Sequence, residues 1–233
     1  MLDQAFEALK TLDWGQDLAP LAPIDEAVIS SHSDDSARRE LESRLAATLS
    51  MTDSRDAKDY VCRKLMLIGT AASVPALAAL LAKPENSHVA RFALERIPGK
   101  EVNEALRSAL ESVAGALKVG MIASLGSRGD EDSVPQLAKL LNDSDHQVSC
   151  AAAKALGAIG TAKAAQALSS SSSEAARRDA TNASLQCAEK LLAAGSKTDA
   201  LKLYKSFAGE SQPKHVRLAA TRGMLACAGK ASE

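Results

Sequence analysis

The sequence predicts an all-α protein, specifically an α-solenoid in which helical hairpins stack in file as a superhelix. Three observations carry that expectation. The 233 residues are 46% hydrophobic but only 3% aromatic, with alanine and leucine dominant, a composition that favours helices and thin layers between them over one thick core. The pattern SVPALAALL, from Ser73, recurs as SVPQLAKLL from Ser133. A weaker copy, EVNEALRSAL from Glu101, lies between them, so Val74, Val102 and Val134 mark a period of about thirty residues. A period of this length signals a solenoid or a propeller, and helical spacing inside each unit excludes the propeller. Glycines at 69, 99, 126, 160, 195 and 229 keep the same beat.

The unit DEDSVPQLAKLLNDSDHQVSCAAAKALGAIG shows how each element is specified. Val134, Leu137, Leu140 and Leu141 share one helical stripe, with Pro135 near the first turn, where its missing N–H costs nothing. Asn142 to Asp145 makes the turn, and Asp145 is a favourable N-cap for the next helix. Val148, Ala152, Ala155, Leu156 and Ile159 form the second stripe, and Gly160 supplies a left-handed C-terminal position. Such a hairpin cannot cover its own apolar face, so neighbours must stack on it. On this stripe Leu140→Ala is expected to cost about 2–5 kcal/mol and Lys139→Ala almost nothing.

Applied along the chain, the same reading places first helices near 34–50, 71–82, 101–110, 130–142, 161–168 and 197–208. Second helices are expected near 55–68, 86–97, 113–126, 145–159, 173–194 and 213–228. Residues 1–33 form an acidic N-terminal helical cap that holds Phe6, Leu9 and Trp14. The serine run 169–173 reads as a long turn inside a unit.

These motifs resemble HEAT-like repeats of the short bacterial type also seen in phycobilin lyase subunits. The VPxLxxLL stripes at Val74 and Val134, Asp145 with Val148, and AKALGAIG carry the resemblance. SHVARFALERIPG and ALKTLDWG are similar to repeat proteins of planctomycete-like bacteria whose function is unassigned. CAEKLLAAGSKTDALKLYKSF is similar to a tetratricopeptide unit at Ala188, Leu191, Ala200 and Tyr204, without that unit's Trp. The expected organisation is the cap at 1–33, HEAT-like repeats at 34–168 and divergent HEAT or tetratricopeptide-like repeats at 169–233, in one continuous solenoid. The resemblance implies binding along a concave face formed by the second helices.

Chemistry is sparse. GxGxxG, P-loop, GxSxG and HExxH motifs are absent from the sequence. His88, His146 and His215 stand at helix starts, and two full units separate His88 from His146, too far to share an ion. No metal site, cofactor or catalytic set is therefore expected. Cys187 and Cys227 occupy the apolar slot that Ile159 fills, so they read as buried thiols. Cys150, expected to be partly exposed, is the candidate for reactivity, with no activating neighbour recognised beside it in sequence. Asp130, Glu131, Asp132, Asp34 and Asp35 suit helix starts without invoking catalysis. Scattered cysteines suit a reduced compartment. The location expected is cytoplasmic, or extracytoplasmic if a leader has been removed ahead of Met1. No apolar run approaches a membrane span.

Charge is the informative asymmetry. Residues 1–54 carry eleven acids and four bases, whereas the second helices carry fourteen bases and seven acids on a chain of net charge −1. A concave surface of one sign focuses its field and gathers an acidic partner. The candidate partner-binding residues are Lys58, Arg63, Arg91, Lys118, Lys154, Arg177 and Arg217. The function expected is a non-catalytic interaction scaffold for a protein or peptide of acidic character. Two alternatives stand beside it: an enzyme or enzyme subunit of the phycobilin-lyase or DNA-repair glycosylase kind, and a structural spacer. Nucleic acid is disfavoured, because aromatic platforms and a strongly basic domain are both missing.

Overall fold

The structure, a computed structural model, describes residues 1–170 and 177–229. Among these, all regular structure is helical, and fourteen α-helices follow one another. Contacts divide the chain into two compact units, Met1–Val113 and Ala114–Glu233. The division falls inside the segment 34–168 that the sequence groups as one.

The first unit holds α1 (Leu2–Lys10), α2 (Ala22–Ser30), α3 (Asp35–Met51), α4 (Arg55–Ile68), α5 (Val74–Ala78), α6 (Ser87–Arg96) and α7 (Lys100–Ser112). Its packing is sequential in two rows: α3 on α5 and α5 on α7, with α2 on α4 and α4 on α6. The second unit holds α8 (Gly115–Ser127), α9 (Val134–Leu140), α10 (His146–Ile159), α11 (Ala162–Ser169), α12 (Arg177–Ala193), α13 (Lys197–Ser206) and α14 (Lys214–Cys227). Here α9 packs on α11, while α8, α10, α12 and α14 contact one another in order. This nearest-neighbour pattern, present in each unit, is that of a helical-repeat solenoid.

The expected caps form. Asp34 Oδ1 accepts from Ser36 N at 2.8 Å and Ala37 N at 3.1 Å, and Asp145 Oδ1 accepts from Gln147 N at 2.8 Å. Gly160 ends α10 at φ +71°, a conformation that costs glycine little and other residues much. The first helices of the two SVP motifs are shorter than the periodicity suggests. Each begins as a 3-10 turn, Ala71–Ser73 or Glu131–Ser133, and leads into α5 or α9 with Pro near the N-terminus. Leu80 and Leu81 then bond back three residues, to Leu77 and Ala78, which tightens and ends the helix.

Two core expectations need correction. Val134, Leu137 and Leu141 are buried, at 5%, 0% and 1% exposure, but Leu140 is only half-buried. Leu137 and Leu141, four apart, take the inward face, and Leu140 flanks it. Trp14 does not join the cap core. Phe6 and Leu9 are buried, whereas Trp14 is 88% exposed in the turn after α1, where its backbone N–H donates to Asp13 Oδ1 at 2.7 Å. The cap instead docks through Asp25, which accepts from Tyr60 Oη at 2.7 Å and pairs with Lys64 Nζ at 2.6 Å. Ser169 ends α11, and the remainder of the serine run from 171 onward, like the expected start of α12, lies outside the described residues.

Small residues set the helix spacing in the second unit. A Cβ at Gly126 of α8 would stand 2.8 Å from Ala155 Cα of α10, and one at Gly157 would stand 2.9 Å from Ala183 Cα of α12. Backbone cannot yield as a flexible side chain can. Gly126→Val is therefore expected to destabilise the protein by about 1–3 kcal/mol through overpacking, measured by urea unfolding.

Candidate functional site

The seven candidate cations fall into two sets. In the first unit Lys58 on α4 is buried, at 6% exposure, and offers no surface. Arg63 is exposed, but its Nε donates to Asp59 Oδ2 at 2.7 Å, one turn back on the same helix. Arg91 on α6 is half-buried, and burial pulls its guanidinium pKa down against the opposing pull of Glu95. The same helix carries residues that a count of charges overlooks. Phe92 is 40% exposed between His88 and Arg96, four residues away on either side, and Leu67 on α4 is 56% exposed. The i, i+4, i+8 spacing of His88, Phe92 and Arg96 was readable as one stripe.

In the second unit Lys118 on α8 is half-buried and Arg177 opens the described part of α12, exposed. Arg217 on α14 is half-buried, with its Nε buried and without a hydrogen-bond partner. Lys154 on α10 lines a cavity. Its side chain is 68% exposed, and its Nζ lies 3.4 Å from Asp179 Oδ2 of α12.

That cavity is a groove of about 590 Å³ over α8, α10 and α12. Val119, Ala123, Ala151, Ala155 and Ala158 make it mostly apolar, and Gly126 lets the helices close beneath it. Four polar side chains of α10 line it: Gln147, and a row spaced four residues apart, His146, Cys150 and Lys154. The Cys150 sulfur is 3.3 Å from His146 Nδ1 and 3.7 Å from Nε2. The expectation that nothing in sequence stands beside Cys150 is thus corrected. The partner was four residues upstream, one helical turn away. Cys150 is also more buried than expected, at 9% exposure, although it lines the groove. Burial first, and the Asp179 carboxylate second, push its thiol pKa up, against a smaller downward pull from Lys154. Cys187 is fully buried, its thiol pushed up to about 11, while Cys227 is only half-buried against the α12–α13–α14 core.

Among the described residues, no group of three His, Cys, Asp or Glu side chains is placed to hold a metal ion. No described helix is long and apolar enough to cross a membrane.

A family model described as HEAT repeats matches residues 103–189. This stretch carries HEAT repeats. It runs from α7 into α12, so the HEAT segment contains every residue that lines the groove. No curated protein matches the chain.

Proposed function

We propose that the chain is a non-catalytic interaction scaffold that binds a protein or peptide of acidic character on its second helices. The observation that carries this reading is the groove inside the HEAT segment, where an apolar floor lies beside an exposed lysine. HEAT repeats typically serve as protein-interaction scaffolds, and solenoids present extended binding surfaces built from successive repeats. An apolar side chain of the partner enters over Ala123 and Ala155, while its carboxylate competes with Asp179 for Lys154. Exposed Leu67 one turn after Arg63 on α4, and exposed Phe92 one turn from His88 and Arg96 on α6, offer further apolar positions with basic neighbours on their own helices.

The test is fluorescence anisotropy of a labelled peptide rich in Glu and Leu, titrated with the protein at low and high salt. The affinity is expected to fall as ionic strength rises, since exposed charge contacts are screened within about 10 Å at 0.1 M salt. Lys154→Glu is expected to weaken binding about three- to tenfold, the scale of reversing one partly screened contact. Absent or salt-insensitive binding would count against the proposal.

A further inference from the structure

The groove holds a chemical arrangement that docking alone does not use. His146, Cys150 and Lys154 form one line along α10, with Asp179 facing them from α12. The α8 wall adds Val119, Ala123, Gly126 and Ser127, none of which titrates in the neutral range. We propose that Cys150 is a covalent modification site that takes an apolar α,β-unsaturated carbonyl compound by conjugate addition.

Each requirement of that reaction has a residue. The thiol lines a groove large enough for a small molecule and floored by alanine. A base is in reach: both nitrogens of His146 lie within 3.7 Å of the sulfur, so either neutral tautomer has an acceptor near it. Lys154, one turn on, supplies an ammonium where negative charge develops. In the step, His146 takes the thiol proton and the sulfur pair forms the bond to the β-carbon. The C=C π pair shifts toward the carbonyl oxygen, and the resulting enolate is held by Lys154. His146 then returns the proton to the α-carbon. S–H has added across C=C; nothing is oxidised or reduced, and no group leaves.

The base is what singles out this thiol. Burial and Asp179 push the Cys150 thiol pKa up, which disfavours a route through free thiolate. Cys62 and Cys187, at 1% and 0% exposure and with thiols pushed up to about 12 and about 11, have neither access nor thiolate. Half-buried Cys227 provides the internal reference.

This inference stands on the groove alone and not on the peptide partner, whose binding the following experiment does not read. The intact protein is treated with substoichiometric N-ethylmaleimide at neutral pH, and adducts at each cysteine are followed by peptide mass spectrometry. Cys150 is expected to react first, at least about tenfold faster than Cys227, given that general acid–base assistance contributes about 10²–10⁴-fold. His146→Ala should slow Cys150 by about a hundredfold or more on the same scale while leaving Cys227 unchanged. His146→Gln, which keeps a polar side chain at the helix start, should do the same. His146 is exposed, so neither variant removes core packing, and unaltered protection of Cys62 and Cys187 verifies the fold. Labelling of Cys227 ahead of Cys150, or an unchanged Cys150 rate in the folded His146→Gln protein, overturns the proposal.

Discussion

Leu137→Ala is expected to lower the free energy of unfolding by about 2–5 kcal/mol, the range for truncating a fully buried leucine. The side chain has 0% exposure on α9, between Val134 and Leu141, which are buried with it. Alanine removes the buried methyl groups and leaves a cavity that the neighbours only partly close, because α9 is braced against both α10 and α11. Leu140→Ala, three residues on and half-buried, should cost distinctly less. Lys139→Ala, at an exposed site, should fall within about 0.5 kcal/mol of zero. Urea unfolding of the three variants gives this ranking directly, and a larger loss at Leu140 than at Leu137 would show the stripe to be rotated.

Glu42→Ala is expected to be nearly as damaging, at about 3 kcal/mol, through polar contacts rather than packing. Glu42 lies on α3 with 2% exposure, and its carboxylate gathers the start of the next repeat. Oε1 accepts from Thr70 N at 2.6 Å and Ser73 Oγ at 2.5 Å, and both oxygens accept from Thr70 Oγ1 at 3.0 Å. Thr70 in turn caps the 3-10 turn that leads into α5, accepting from Ala72 N at 3.2 Å. Hydrogen bonds to a charged acceptor contribute about 1.5–3 kcal/mol each, and removing the acceptor leaves buried donors unpaired. Glu42→Gln keeps one carbonyl oxygen and should lose less, about 1–2 kcal/mol. A Glu42→Ala loss below about 1 kcal/mol in urea unfolding would mean that Thr70 and Ser73 find other partners.

These two residues also mark where sequence is informative and where it is not. Helix positions followed from apolar period and turn chemistry, which are local. Asp34, Asp145 and Gly160 act within a few residues of themselves, and each was readable. Glu42 finds its partners 28 and 31 residues downstream, and no local pattern announces that. Leu80 and Leu140 hold the same place in the two SVP motifs, yet Leu80 is 3% exposed and Leu140 half-buried. The neighbouring helices make that difference, not the motif.

The candidate site was legible in outline only. Counting charges located the second helices as basic, but Lys58 is buried, Arg63 is bonded to Asp59, and Lys154 faces Asp179. A long cationic side chain can bury its stem or pair along its own helix, and composition does not separate those outcomes from a free one. The line His146, Cys150, Lys154 is legible in sequence, since a spacing of four on a helix puts side chains on one face.

The central claim is that order in each unit passes between neighbouring helices and not through one common centre. Native-state hydrogen exchange, compared residue by residue between the parent protein and Leu137→Ala, tests it most directly. The account predicts that protection falls most in α9 and in the helices that touch it, α10 and α11, while α14 of the same unit keeps its own. Equal loss in every helix from α8 to α14 would reveal a common core in that unit and contradict the account.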